Sequence, residues 1–376
     1  MRRVFVVCLA ASVLAVRGAT GQEATIDYTR GWVLGSREDP SASVAFADVD
    51  GDGDLDIVLA NGRHSPVQNE IFLNNGRGRF TVARPLGEER APSYEAPLGD
   101  LDGDGDLDVV TGNARARNLV LLNSGTGHFQ PAGTVGDLDG PTRGLTLADL
   151  NGDGSLDVLI VNRGSENEIC FNDGKAQFNE CIAFGSGQDA TIAVTVADFN
   201  ADGRPDLALA NRNGQPNFVY LNTGNATFDD RRPFGTGSDE TRSVAYGDLN
   251  GDGHLDIVTA NIGEANGVYF GDGMGNFDAG VKFGRTDGVT YAVALADLDG
   301  DGDQDIVVGN GGAENAAFFN SGDGMSFEEV RFGDPEYFTY GVAVADVNND
   351  GYPDIAVANS GSVNLIYIAQ PVVLAR

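Results

Sequence analysis

Residues 48–56 read DVDGDGDLD, with aspartate at every second position. Such a segment cannot enter an apolar core, because each carboxylate would lose its hydration and repel its neighbours. Side-chain oxygens alternating with glycine suit one chemistry well: wrapping a short loop around a hard divalent cation. The segment returns as DLDGDGDLD from Asp100, DLNGDGSLD from Asp149, DFNADGRPD from Asp198, DLNGDGHLD from Asp248, DLDGDGDQD from Asp297 and DVNNDGYPD from Asp346. A recurrence every 50 residues or so marks an array of structural repeats.

The variation between copies separates side-chain from backbone roles. Position 1 is always aspartate: Asp48, Asp100, Asp149, Asp198, Asp248, Asp297 and Asp346. Position 3 is Asp50, Asp102, Asn151, Asn200, Asn250, Asp299 or Asn348, so it always offers an oxygen. Position 5 is again always aspartate (Asp52, Asp104, Asp153, Asp202, Asp252, Asp301, Asp350), and position 6 is always glycine. Position 9 is aspartate throughout: Asp56, Asp108, Asp157, Asp206, Asp256, Asp305 and Asp354. Position 7 is Asp54, Asp106, Ser155, Arg204, His254, Asp303 or Tyr352, and this tolerance predicts a backbone carbonyl ligand, which any residue supplies.

Oxygens at 1, 3, 5 and 7 with glycine at 6 resemble the first half of an EF-hand loop, here closed at position 9 and flanked by strands. Ca²⁺ fits this donor set. Mg²⁺ demands a tighter octahedron, and Zn²⁺ would want His or Cys. The His254 side chain is expected to face solvent. Up to seven Ca²⁺ ions are expected, with the fourth and seventh loops the weaker sites. Both lack glycine at position 4, and the fourth carries Arg204.

Composition agrees. The chain has 376 residues, 56 Asp and Glu against 24 Lys and Arg, and a formal net charge of −32. That surplus argues against nucleic acid as a partner, which needs clustered basic residues. Arg2 and Arg3 precede an apolar run from Val4 to Val16, and small residues follow at Ala19–Gly21. This is the pattern of a signal peptide over 1–21, and no later run is long enough for a transmembrane helix. The mature chain, 22–376, is expected to be secreted, or periplasmic if bacterial, and monomeric. Cys8 leaves with the signal, whereas Cys170 and Cys181 stand 11 residues apart and could bridge two strands of one hairpin; two free buried thiols are the alternative.

The rest of the repeat keeps register with the acidic loop. Ser or Thr stands seven residues before it (Ser41, Ser93, Thr142, Thr191, Thr241, Thr290, Thr339), and asparagine 13 after its start (Asn61 to Asn359). An apolar residue followed by glycine precedes each loop by 14 residues, from Leu34 to Phe332. Each unit reads as four short strands with period-two alternation, and no stretch shows helical periodicity. The expected fold is all-β: a seven-bladed propeller of four-stranded blades. The seventh unit lacks a fourth strand, and the N-terminal DYTRGWVLG, with Tyr28 six residues before Leu34, is expected to supply it and close the ring. The alternative is that 372–376 forms that strand.

These units resemble FG-GAP repeats, also catalogued as VCBS-type repeats, of integrin α-subunit propellers and many exported bacterial proteins. Literal Phe-Gly pairs occur at Phe184, Phe234, Phe283 and Phe332, and Ala96-Pro97 echoes the remainder of the motif. The resemblance covers essentially the whole mature chain. It implies a single propeller domain with calcium between the first two strands of each blade, and ligands on the opposite face. The chain lacks the other domains of an integrin subunit.

Six residues before each loop stand Ala42, Tyr94, Arg143, Ile192, Arg242, Tyr291 and Tyr340. Tyr94, Arg143, Arg242, Tyr291 and Tyr340 are candidate ligand-binding residues, suited to sugar stacking or protein contacts, although strand parity also suits packing between blades. The long loop GRHSPVQ adds His64. The expected function is an adhesion or binding module for a glycan or protein. The alternative is a carbohydrate-active enzyme, a polysaccharide lyase or hydrolase, on the same fold. The sequence offers little for catalysis: only His64, His128 and His254, in different units, and no nucleophile motif.

Overall fold

The computed structural model describes residues 25–372. The proposed signal peptide and Cys8 lie outside the described residues. Every element within them is a strand, arranged in seven four-stranded blades. Blade 1 runs Ser41–Ala47, Asp56–Asn61, Val67–Leu73 and Val82–Ala91. Blades 3 to 6 repeat this meander, ending at Phe184, Asp239, Phe283 and Phe332. In blade 2 the first strand is broken into Ser93–Glu95 and Leu98–Gly99, where Pro97 has no N–H to give the ladder.

The first strand of each blade lies against the first strands of both neighbours, so these strands surround the axis. The second strands are buried from end to end in nearly every blade, which explains why they read as apolar runs: Asp56–Asn61 (DIVLAN) and Asp354–Asn359 (DIAVAN). The core is divided into seven apolar clusters, each shared by two adjacent blades. No blade buries its faces alone, so ring closure is part of the core.

Closure follows the sequence expectation. Gly31–Leu34 pairs antiparallel with Asn364–Tyr367 and completes blade 7. Tyr28 is buried, its ring 5.9 Å from that of Phe332, and its hydroxyl donates to the Pro353 carbonyl at 2.9 Å. The alternative closure fails: Gln370–Val372 pairs with Thr25–Asp27 in a separate two-stranded ribbon. Cys170 and Cys181 oppose each other across one hairpin and are disulfide-bonded.

The Ser/Thr and Asn positions form a buried polar belt. Ser41 Oγ donates to Asn61 Oδ1 at 2.7 Å, and the same bond recurs from Ser93 to Asn113 and from Thr339 to Asn359. Asn69 Nδ2 of blade 1 donates onward to Ser93 Oγ of blade 2 at 2.9 Å, and Asn364 Nδ2 of blade 7 donates to Ser41 Oγ at 3.0 Å. The belt thus stitches neighbours together, including the first and last blades.

Candidate functional site

The acidic loops join the first and second strands of every blade and share one end of the ring. Glycine at position 6 is obligatory for a backbone reason. Its φ is positive in every loop, from 85° at Gly203 to 99° at Gly302. Position 4 is left-handed too, even where glycine is missing: Ala201 has φ 57° and Asn349 has φ 59°. Alanine is strained in that region whereas asparagine tolerates it. Ala201→Gly is therefore expected to raise stability by about 1 kcal/mol, read as the midpoint of denaturant unfolding. An unchanged midpoint would remove strain as the account of the fourth loop.

Position 1 closes the loop on itself. Asp48 accepts the N–H groups of Gly51 at 2.8 Å and Gly53 at 3.0 Å, and Asp100 repeats both bonds with Gly103 and Gly105. Position 9 has a different role. It is fully buried in every blade, and both its oxygens accept backbone N–H groups. Asp305 takes the N–H of Leu298 at 2.8 Å and of Asn320 at 2.8 Å. It pins the acidic loop to the turn after the third strand. Burial pushes these carboxyls up, Asp56 to about 6, Asp354 to about 7 and Asp305 to about 8, with the other loop carboxylates adding to the rise.

In three loops, side-chain oxygens of positions 1, 3 and 9 lie within 4.8 Å of one another: Asp48, Asp50 and Asp56; Asp100, Asp102 and Asp108; Asp297, Asp299 and Asp305. These are the loops with aspartate rather than asparagine at position 3. Asp50 Oδ1 is buried there without a hydrogen-bond donor. A cation would satisfy it, so the donor set fits a hard divalent ion. In three of the asparagine loops the amide of Asn151, Asn200 or Asn250 donates to the position 5 carboxylate instead. In the fourth loop Arg204 also pairs with Asp202 and donates to the Asn222 carbonyl. Its charge is answered from within.

Position 5 carboxylates stand exposed at the loop tips, outside those three groups but beside the position 3 side chain. Position 7 side chains are not among the grouped oxygens of positions 1, 3 and 9. Asp54, Asp106 and Asp303 lie over Gly76, Gly125 and Gly322 of the following hairpin turn, where an added Cβ would meet the carboxylate. His254 is exposed and lies over Gly273 in the same way.

One element of this end was not foreseen. Asn123 Nδ2 donates to the Val49 carbonyl of the preceding blade at 2.8 Å, Asn172 to Leu101 at 2.8 Å and Asn320 to Leu249 at 2.7 Å. These asparagines link successive acidic loops. Their signal was the recurring Asn at the end of the third strand.

At the other end, the candidate ligand residues come together, for a reason that strand parity hides. The residue six before each loop is the extra member of a β-bulge. Thr142 pairs with Asn162 and Gly144 with Val161, leaving Arg143 unpaired, and the same shift occurs at Ala42, Tyr94, Ile192, Arg242, Tyr291 and Tyr340. Bulges re-aim side chains, and seven equivalent bulges around one axis send theirs to a common mouth.

Contacts between non-adjacent blades establish the convergence. Arg242 of blade 5 lies 5.8 Å from the ring centre of Tyr340 of blade 7, and interacts with Glu95 of blade 2. Tyr291 and Tyr340 stack at 4.0 Å and 13°. Arg63 covers Tyr340 at 3.5 Å, and Arg143 covers Tyr94 at 4.4 Å. The Tyr94 hydroxyl is 3.1 Å from His64 Nδ1, and the rings meet edge to face. Tyr340 has no free face for a sugar, being covered by Tyr291 and Arg63, and Arg143 covers one face of Tyr94. The rings position guanidinium groups.

Arg63 and Glu95 were missed. Arg63 sits beside His64 in the connection between second and third strands, two residues after the repeated asparagine, where only Arg115 of blade 2 is also arginine. Glu95 had a signal: its position is Ser43, Gly144, Ala193, Ser243, Ala292 or Gly341 elsewhere, small in every other blade. Burial pushes Glu95 up to about 7 against the opposing pull of Arg242 and Ser43. Burial and the charges of Arg63 and Arg143 hold His64 below its usual value.

Five overlapping segments, 100–160, 149–209, 198–259, 248–308 and 297–357, match the FG-GAP-like repeat, and 41–82 matches the FG-GAP repeat. The protein is thus a propeller built from such repeats. The chain belongs to the FG-GAP-like repeat family. No curated protein matches it. Among solved structures, it resembles BBS1N in complex with ARL6DN. One such structure, soaked with mercury, aligns at TM-score 0.59 and 8% identity, covering 92% of this chain and 96% of that one. Another, soaked with lead, gives TM-score 0.61 and 7% identity over 91% and 98%. At this identity the likeness establishes the propeller alone.

Proposed function

We propose that this protein is an exported, calcium-stabilised propeller that binds a glycan or protein ligand at the axial mouth opposite the acidic loops. One observation carries the reading. Side chains from six blades, including Arg63, Tyr94, Arg143, Arg242, Tyr291 and Tyr340, meet at one end of the axis although nothing in the repeat requires those residue types. Their equivalents, Ala42 and Ile192, show that the bulge itself is content with an apolar side chain. The basic and apolar N-terminus and the disulfide support export. The donor set of the all-aspartate loops supports calcium, held by positions 1, 3, 5 and 9 with the position 7 carbonyl. A bound cation would supply the charge that these loops lack and fix their shape.

The test is a glycan array with the mature protein, in calcium and in chelator. Binding that is lost in an Arg242→Ala, Tyr340→Ala variant supports the axial site. Binding retained by that folded variant overturns it. A silent array moves the ligand to a protein, the kind of partner that BBS1N has in its complex.

A second reading, a carbohydrate-active enzyme, has one supporting contact. The Tyr94 hydroxyl and His64 are hydrogen-bonded among arginines, an arrangement able to move a proton beside an anionic group. Release of new chain ends from an acidic polysaccharide, abolished by Tyr94→Phe, would establish it.

A further inference from the structure

We propose that the axial mouth recognises an acidic glycan, one that carries uronate or sulfate groups. This rests on the binding-module reading above and adds the charge of the ligand. Acids outnumber Lys and Arg by 56 to 24, so a cluster of arginines buried together stands out from the acidic surface around it. Among the described residues six arginines pair with a carboxylate: Arg37, Arg204, Arg212, Arg232, Arg285 and Arg331. Arg63, Arg143 and Arg242 are among the described arginines that form no ion pair, and they are gathered at one place, where Glu95 is the carboxylate that faces Arg242. Arg242 is only 9% exposed, and Arg63 Nε is buried with no hydrogen-bond acceptor. Arg143 and Arg63 donate only to neutral groups, the Thr142 carbonyl at 3.0 Å and Ser360 Oγ at 2.7 Å.

Gathering like charges costs free energy, and the molecule shows that cost. Burial holds Arg143 below its usual value, and the neighbouring Arg163, Arg115 and Arg63 lower it further. Arg242 is lowered by burial and by Arg63, against the opposing pull of Glu95. The tyrosine rings partly offset the repulsion by presenting their faces to the guanidinium groups. With those faces occupied, what the mouth offers an incoming ligand is guanidinium N–H groups and phenol hydroxyls. A carboxylate or sulfate accepts such donors with charge assistance.

Glu95 separates a glycan from an acidic peptide. It lines the same mouth, hydrogen-bonded to Ser43 and facing Arg242. A run of ionised acidic side chains brings no side-chain donor for Glu95. A sugar acid brings both an anion for the arginines and hydroxyls for Glu95. The protein's overall charge of −32 repels polyanions, so attachment of an acidic glycan would be favoured where these arginines gather.

The experiment is an array that pairs uronate-bearing and sulfated glycans with neutral glycans of matched backbone, probed with the full mature chain in calcium. Binding of members of the acidic set over their neutral partners is expected. Calorimetry on the best binder should show Arg143→Gln weakening affinity on the order of tenfold or more, the value of one charge-assisted pair. Arg143 is partly exposed, so this variant keeps the core; Arg242→Gln is the second, accepted only if its melting temperature is preserved. Equal binding of neutral and acidic partners, or acidic binding untouched by Arg143→Gln, overturns the inference but leaves a binding module. An array without any acidic binder overturns it too. Capture of a poly-glutamate peptide in preference to every glycan would replace it with a protein ligand.

Discussion

Asp305→Ala is expected to cost about 3–5 kcal/mol, and to do so in chelator as well as in calcium. The position 9 carboxylates look like ligands in the sequence, yet in the structure they are first of all acceptors for backbone. Asp305 receives the N–H of Leu298 from its own loop and that of Asn320 from the next turn, and it is completely buried. Alanine leaves two buried donors without partners, each costing about 1–3 kcal/mol. Asp305→Asn keeps one acceptor oxygen and turns an amide N–H₂ towards the other donor, so about half the loss is expected. Asp301→Ala, at the exposed tip of the same loop, should cost under about 0.5 kcal/mol in chelator. Denaturant unfolding of the three variants, with and without chelator, separates the roles. Equal losses at Asp301 and Asp305 in chelator would refute the pin.

The pin also has a pH signature. The folded carboxyl of Asp305 is raised to about 8, far above its unfolded value of about 4. The folded state therefore holds the proton more tightly. In chelator, stability is fullest near the unfolded value and declines as pH rises towards about 8. Asp305→Asn should flatten that decline.

Much of this could be read from residues alone, because a repeat displays its own constraints. Seven copies of one loop show which positions need an oxygen and which need only a backbone carbonyl, and the missing fourth strand of blade 7 points to the N-terminus. The unread parts are those where a residue acts outside its own copy. Asn123 has its partner, the Val49 carbonyl, 74 residues away in another blade, and nothing in local spacing encodes that bond. The bulge at Arg143 was invisible because the alternation around it stays intact while the pairing slips by one. Position 9 could not be split into pin and ligand, since aspartate serves both uses. The axial cluster gathered because varied residues shared a ring position, and Arg63 joined it from the connection between second and third strands, where only Arg115 of blade 2 repeats the residue type.

Calcium is expected to raise the melting temperature of the metal-free protein by on the order of 10 °C, and the gain should come chiefly from the loops starting at Asp48, Asp100 and Asp297. Each loop that binds the folded state alone adds about 2.7 kcal/mol at a hundredfold excess over its dissociation constant, and three such sites together account for the shift. The ranking follows from charge. In the third, fourth and fifth loops an asparagine amide already answers the position 5 carboxylate, and Arg204 adds a guanidinium. In the all-aspartate loops position 3 carries a carboxylate instead of an amide: Asp299 is pushed up to about 6 by burial and by Asp301, and Asp50 is raised by burial and by Asp52, with Arg84 only partly opposing it. Replacing Asp50, Asp102 and Asp299 together by asparagine should remove most of the calcium gain. In chelator the same change should leave the melting temperature unchanged or higher, because it deletes a repelling charge and keeps an oxygen. A pure loss of packing would lower both. Protein shown by elemental analysis to be metal-free, melting at one temperature with and without calcium, would end the calcium assignment. The acidic surplus would then have to be borne by diffuse counterions, which cannot reach the buried oxygen of Asp50.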